Sequence, residues 1–280
     1  MSHYKHKIAF LVCYFGKLPW YFDYFIHSCK YNPSVDFYIV TDDVYKKRYT
    51  KNVKFIYTSL EAVSKLTSKR LGFTIKISHA YKLCDFKPAY GYIFNDILKG
   101  YDFWGHGDID IIFGNIRSFM TRKVLSAHDI ISVRPDWIPG CFVLFRNSDK
   151  LNTLFKQSKD YKKVFKSDTH YCFDETNFAH DDFTDGKKYD EVKTEIESMM
   201  HVIQRLQMAG YINVYFDLNI IEGIPGKLKW NKGTLVYRNK YYVLLYHLIK
   251  LKKIYIPKRE VKVVPDSFII TPSKIMKYKP

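Results

Sequence analysis

The chain has 280 residues, 47% of them hydrophobic and 18% aromatic, with a formal net charge of +17. A fold of this length buries roughly three quarters of its unfolded surface, and so apolar a composition excludes disorder as the general state. Five scattered cysteines, Cys13, Cys29, Cys84, Cys141 and Cys172, form no C-x-x-C pair and suggest neither a disulfide framework nor a zinc site, which fits a reducing compartment.

The apolar run of residues 7–16 reads as a strand buried on both faces. Pro19 suits the first turn of a following helix, on which Trp20, Tyr21, Tyr24 and Phe25 share a face. Strands follow at 36–40, ending in Thr41-Asp42-Asp43, and at 53–57. Helices are expected over 59–71, with Ser59 as N-cap, and over 90–98, then a strand over 101–113. Further strands are predicted at 128–133 and 141–145, and helical spacing at 151–165 and 189–208. Residues 167–188 read as a long polar surface loop, and 234–245 as a hairpin about Arg238-Asn239-Lys240. Strand and helix alternate in the manner of an α/β fold with a mostly parallel sheet. The economical division is one domain, residues 1–254, and a basic C-terminal arm, 255–280.

The start of the chain lacks a signal-peptide pattern, and no apolar stretch approaches the ~20 residues that span a bilayer. The expectation is a cytoplasmic protein, soluble or peripheral at the inner membrane face. Its charge asks for an anionic partner: nucleic acid, an anionic membrane surface or a phosphorylated substrate. Lysines crowd the sequence after residue 226, and the arm adds Lys258, Arg259, Lys262, Lys274, Lys277 and Lys279. The aromatics lie in apolar runs rather than interleaved with arginine, which argues against a nucleic-acid platform.

The segment YDFWGHGDIDIIFGNI, residues 101–116, sets Asp108 and Asp110 two apart at the end of an apolar run. On a strand, both would point to one face. Two carboxylates about 6 Å apart repel by roughly 3 kcal/mol at an effective dielectric near 20, so a divalent cation between them is the simplest balance.

This segment, together with CYFGKLPWYFDYF, DFYIVTDD, YKLCDFKPAYGYIF and YHLIKLKK, resembles bacterial polysaccharide-type and lipopolysaccharide-type glycosyltransferases of the GT-A fold. The resemblance implies a metal-dependent transfer of a sugar from a UDP-sugar to a hydroxyl of a glycan or lipid-linked glycan acceptor. It implies Asp108, Asp110 and His247 as ligands of Mn²⁺ or Mg²⁺. Tyr14, Phe15, Asp42, Lys82, Asp85, Lys87, Lys250 and Lys253, with Asp108, would hold the nucleotide sugar. Trp137 and Gly140 would border donor and acceptor sugars, and Asp174 or Glu175 would reach the reaction centre as general base. The order of motifs is similar to retaining family 8 enzymes, which tilts the expectation toward retention, although Leu-Ile-Lys follows His247 where that family has a glycine-lysine sequence. The alternatives are a nucleic-acid-binding protein and a catalytically silent carbohydrate-binding protein of the same fold.

Overall fold

A computed structural model describes residues 5–258, 261 and 263–279; Arg259 and Lys262 of the basic arm lie outside the described residues. The first apolar run forms β1 (Ile8–Cys13), followed by α1 (Phe22–Lys30), β2 (Val35–Thr41) and β3 (Val53–Tyr57). Side chains of β1 alternate as a doubly covered strand requires. Ile8, Phe10 and Val12 pack with Phe25 and Phe37, while Ala9 and Leu11 join Trp104 and Phe145 in the core on the opposite face. α2 (Leu60–Leu71) begins where the sequence predicts, because Ser59 Oγ accepts from the Ala62 amide at 3.1 Å. It ends at Gly72, whose φ of 76° suits a residue without a Cβ.

The remaining strands are β4 (Phe103–Gly107), β5 (Ile111–Phe113), β6 (Ile130–Ser132), β7 (Phe142–Arg146), β8 (Val214–Tyr215), β9 (Ile220–Ile221), β10 (Leu228–Asn231), β11 (Thr234–Tyr237), β12 (Tyr241–Tyr242), β13 (Leu245–His247), β14 (Ser267–Ile270) and β15 (Ile275–Lys277). The main sheet has seven strands in the order β3-β2-β1-β4-β7-β6-β8. Pairing is parallel from β3 through β4 and again between β6 and β8, and antiparallel on both sides of β7. This is the mostly parallel α/β class expected from the sequence. The chain winds outward from β1 to β3 and then returns to place β4 on the other side of β1. In such sheets the crevice at the carboxyl ends of the strands flanking this reversal is where ligands bind.

Several expected elements differ in extent. The strand read over 101–113 is two strands in two sheets. β4 loses its partner after Gly107, which pairs with Phe142 at the start of β7. The chain then bends through Asp108, Ile109 and Asp110, and β5 joins a separate three-stranded sheet, β5-β13-β9. The two aspartates therefore do not share a face of one straight strand.

The long helix read over 189–208 is helical only at Met199–Met208. Upstream amides are taken by other side chains: Asn177 Oδ1 accepts from Glu195 N at 2.9 Å and from Ile196 N at 3.3 Å, and Asp160 Oδ2 from Glu197 N at 2.8 Å. Val192 and Ile196 are nonetheless buried, so the apolar spacing marked the core rather than the helix. The stretch 151–165 breaks into Asp149–Asn152, Leu154–Gln157 and Tyr161–Lys166, and 90–98 into Tyr90–Ile93 and Asn95–Leu98. Residues 167–188 are only partly a surface loop, since Tyr171, Cys172, Phe173, Asp174, Thr176 and Asn177 are buried.

The hairpin at 234–242 forms as read, with Arg238 and Asn239 at φ 51° and 59°. It belongs to a second sheet, β12-β11-β10-β14-β15, whose stacked Trp230 and Phe268 pack toward α1. The sequence reads residues 255–280 as a basic arm; β14 lies against β10 and β15 against β14, so this stretch contributes two strands to that sheet.

Candidate active site

Register places the first half of the site. β13 runs antiparallel to β5 with His247 opposite Ile111, beside Asp110, and parallel to β9 with Tyr246 opposite Ile221, beside Glu222. His247 Nε2 accordingly lies 3.3 Å from Asp110 Oδ2, and its Nδ1 lies 2.8 Å from Glu222 Oε1. The Leu248 amide donates to the Asp110 carbonyl at 2.8 Å and fixes the bend. Asp108, Asp110 and His247 each bring one ligand atom within 4.8 Å of the others. Two carboxylate oxygens and an imidazole nitrogen at such spacing fit a hard to borderline divalent cation such as Mn²⁺.

Two lysines flank the acids. Lys252 Nζ donates to Asp110 Oδ2 at 2.6 Å. Lys87 Nζ donates to Asp108 Oδ1 at 2.7 Å and to the Gly140 carbonyl at 3.0 Å, and stands 3.5 Å from Asp174 Oδ2. Burial pushes the Asp110 carboxyl up, but His247 and Lys252 outweigh it and hold Asp110 below the ordinary carboxylate range. Burial disfavours charge on His247 too, and Cys141, Asp110 and Glu222 together reverse that and raise it well above an ordinary imidazole. Glu222 also accepts from Arg134 Nη1 at 2.6 Å, so the imidazole is oriented by a carboxylate that is itself held.

The second half of the site gathers on Gly140. A Cβ there would stand 2.5 Å from Asp174 Oδ2 and 3.0 Å from Glu175 Oε1, so only glycine lets the two acids approach. Asp174 is buried, and burial, with Glu175, Asp85 and Asp108 adding to it against Lys87, pushes its carboxyl well above the usual range. Glu175 behaves oppositely: burial is overcome by His180 and the Gly140 amide, which lower it to about 2. Its Oε1 accepts from Gly140 N, and its Oε2 meets His180 Nε2 at 2.9 Å and Cys172 Sγ at 3.3 Å. Glu175 is thus held by three partners, while Asp174 Oδ2 stands 3.5 Å from Lys87 Nζ.

The other residues expected at the site fall into three groups. Tyr14 and Asp42 follow β1 and β2 at their carboxyl ends, where Asp42 Oδ1 accepts from Gly16 N at 2.7 Å and ties the two loops together. The Phe15 ring is buried in the core. Lys82 and Asp85 also lie inside the fold. They are fully buried and paired at 2.8 Å; Lys82 also donates to the Val164 and Thr169 carbonyls, and Asp85 accepts from the Tyr171 and Phe173 amides. They brace the 164–173 segment. Lys250 and Lys253 are exposed, and Lys252 between them is the lysine that reaches Asp110.

Trp137 stacks beside the Arg134 guanidinium at 4.2 Å and the His180 ring at 4.6 Å, at the rim of the Gly140 cluster. The sequence reading missed Lys252, Glu222 and Arg134. Glu222 follows the apolar pair Ile220-Ile221 and Arg134 follows Ile130-Ile131-Ser132-Val133, so each sits at a strand end, the same signal that singled out the aspartates.

A family model described as a family of unknown function, DUF6625, matches residues 10–279. The chain belongs to that family. No curated protein matches it in sequence. Among solved structures it is similar to the glycosyltransferase GlyE of Streptococcus pneumoniae TIGR4, with TM-score 0.37, 12% identity, and coverage of 76% of this chain and 45% of that one. The apo form of GlyE gives TM-score 0.39 at 11% identity, covering 76% and 46%. The galactosyltransferase LgtC, solved with donor and acceptor sugar analogs, gives TM-score 0.34 at 11% identity, covering 64% and 69%. The chain thus spans less than half the length of the GlyE structures.

Proposed function

We propose that this protein is a metal-dependent glycosyltransferase of the GT-A type that moves a sugar from a UDP-sugar to a hydroxyl of a glycan or lipid-linked glycan. The observation that carries the reading is the convergence of Asp108, Asp110 and His247, from two sheets, at the carboxyl end of β4 beside the β1 reversal. That is where an α/β sheet offers a nucleotide its crevice, and it is where the chain concentrates paired acids and lysines.

Asp108, Asp110 and His247 would hold Mn²⁺ or Mg²⁺, and the bound ion supplies positive charge where the departing diphosphate becomes more negative. Glu222 keeps His247 turned so that Nε2 faces Asp110. Lys252 and Lys87, each now neutralising one of the acids, are placed to take phosphate oxygens by charge-assisted bonds once the acids turn to the ion. At the β-phosphate they would stabilise the charge that develops as the bond between sugar and diphosphate breaks. Burial raises the Asp174 carboxyl well above the usual carboxylate range against the pull of Lys87. The reading favours retention, in which the leaving diphosphate would accept the acceptor's proton. Trp137 and Gly140 would border the sugars.

Calorimetry with UDP in the presence and absence of Mn²⁺ tests the reading. UDP binding that needs Mn²⁺ and is weakened by Asp110→Asn supports it. Salt-sensitive retention of nucleic acid with no UDP response would favour the nucleic-acid alternative, and glycan binding without UDP binding the silent carbohydrate-binding one.

We propose in addition that the segment 250–258, which carries exposed Ile254 and Ile256 together with Lys250, Lys253 and Lys258, docks on an anionic membrane, where a lipid-linked acceptor would lie. Among the described residues no helix is long and apolar enough to cross a membrane. Cosedimentation that is equal with neutral and anionic liposomes would remove this second proposal.

A further inference from the structure

Next to Gly140, but on the side of Glu175 away from Asp174's lysine, three different donor types converge. Cys172 Sγ is 3.3 Å from Glu175 Oε2 and 3.9 Å from His180 Nε2, and the latter two are 2.9 Å apart. A tetrahedral zinc ion with ordinary bond lengths would hold its sulfur about 3.6 Å from its nitrogen and oxygen ligands, and those two about 3.3 Å from each other. The observed separations differ from these by only a few tenths of an ångström.

The loop that presents the ligands is held in a shape chains rarely adopt. Cys172, Asn177 and Phe178 have φ of 52°, 55° and 65°, and such backbone concentrates at ligand clamps when its surroundings enforce it. Here they do: Asn177 is pinned by the Tyr171 carbonyl and by the Glu195 and Ile196 amides. Glu175 is oriented by the Gly140 amide through its other oxygen, and the His180 ring rests on Trp137, so two of the three ligands have an outer contact that fixes them. Cys172 is buried, while the His180 side chain is about one third exposed, so the cluster lies at the edge of solvent.

We propose that Cys172, Glu175 and His180 form a zinc site, separate from the Asp108, Asp110 and His247 cluster and selective for a softer ion. Thiolate and imidazole favour Zn²⁺, whereas the oxygen-rich cluster suits Mn²⁺ or Mg²⁺. On binding, Sγ forms a bond to the ion and the thiol proton passes to solvent, so thiolate and carboxylate neutralise the double charge. Counting cysteine pairs in the sequence misses this site because only one of its ligands is a cysteine. The bound ion would lock residues 172–180 against Gly140 and so fix the wall that carries Asp174. The inference does not depend on the chemistry proposed for the first cluster.

The test loads the chelator-treated full chain with Co²⁺ and reads the near-ultraviolet thiolate-to-cobalt absorption, then measures Zn²⁺ affinity by competition with a chromophoric chelator. Cys141 lies near Glu222 and His247 and could also offer a thiolate, so Cys141→Ser is the control. The expected result is a thiolate band in wild type and Cys141→Ser that disappears in Cys172→Ser. In His180→Ala, zinc affinity should fall at least the ~10–100-fold typical of losing even an outer partner. His180 is exposed enough for that variant to fold, so it carries the test alone if Cys172→Ser does not. A wild type with no thiolate band, a band that survives Cys172→Ser, or unchanged zinc affinity in His180→Ala would overturn the proposal.

Discussion

Lys82 and Lys87 lie five residues apart on one turn-rich segment and serve opposite ends, which a reading of residue types alone does not separate. Lys87 turns toward Asp108 and Asp174, where its ammonium can exchange partners with a ligand. Lys82 is sealed with Asp85 behind the 164–173 segment. Removing one member of a fully buried pair leaves a charge without compensation, at about 3–5 kcal/mol. Lys82→Met should therefore lower the unfolding free energy measured in urea by about that amount, and Asp85→Asn added to it should recover part of the loss. Lys87→Met, which also removes a buried ammonium, should cost stability as well, but it should in addition abolish UDP binding in the presence of Mn²⁺. Loss of UDP binding in folded Lys82→Met, or its survival in Lys87→Met, would contradict this division. At the metal cluster, Asp110→Asn removes a ligand while keeping the shape that accepts from Lys252. Turnover of the donor should fall on the order of 10²–10³-fold, as when one preorganised transition-state contact is lost, and unchanged turnover would refute the metal assignment.

Among the elements, α2 shows what local signals can specify: Ser59 as N-cap and Gly72 beyond the last turn are chemical stops, and the helix obeys both. The stretch 189–208 shows where they fail, since its apolar spacing is genuine but its first half is held open by Asn177 and Asp160 from distant segments. Asn177→Ala should expose this. It removes the acceptor for two amides and forces alanine to a φ of 55°, a combined loss of about 2–4 kcal/mol. Hydrogen exchange should accelerate at Glu195 and Ile196 ahead of the Met199–Met208 helix, and uniform exchange across both would argue against the account. The same contrast governs the site. Asp108 and Asp110 were legible because polar residues closing an apolar run stand out, yet the bend that brings them together was not, because it arises where β4 runs out of partner and β5 finds β13. The pairing of His247 with Glu222 depends on a parallel register with the two-residue strand β9, too short to leave a periodic pattern. Lys252 was hidden among neighbouring lysines of identical chemistry, and only the turn after β13 decides which one faces Asp110.

At the scale of the whole molecule, the second sheet and the main sheet meet across α1, and the contact contains a titratable group. His27 on α1 packs its ring against Trp230 and Tyr31 at 5.1 and 5.4 Å, with Asp266 Oδ1 3.4 Å from Nε2 and Lys30 on the same helix. Burial lowers its pKa to about 4, Asp266 opposing and Lys30 assisting. His201, on the helix Met199–Met208, and His6 are likewise lowered, by burial first. A histidine kept neutral in the fold takes up its proton more readily in the unfolded chain. The stability it contributes is thus complete above the ordinary value of 6.5 and is lost as pH falls from there toward the folded value. The direction is the reverse of a histidine stabilised by an acidic partner. For His27 the loss between about pH 7 and pH 5, discounted for its partial exposure, is on the order of 1 kcal/mol. Urea unfolding at those two conditions should show the wild type weaker in acid, and His27→Phe, which keeps the ring against Trp230, should be less acid-sensitive by about that amount. If the variant and wild type lose stability in parallel, the junction between the two sheets is not where acid acts.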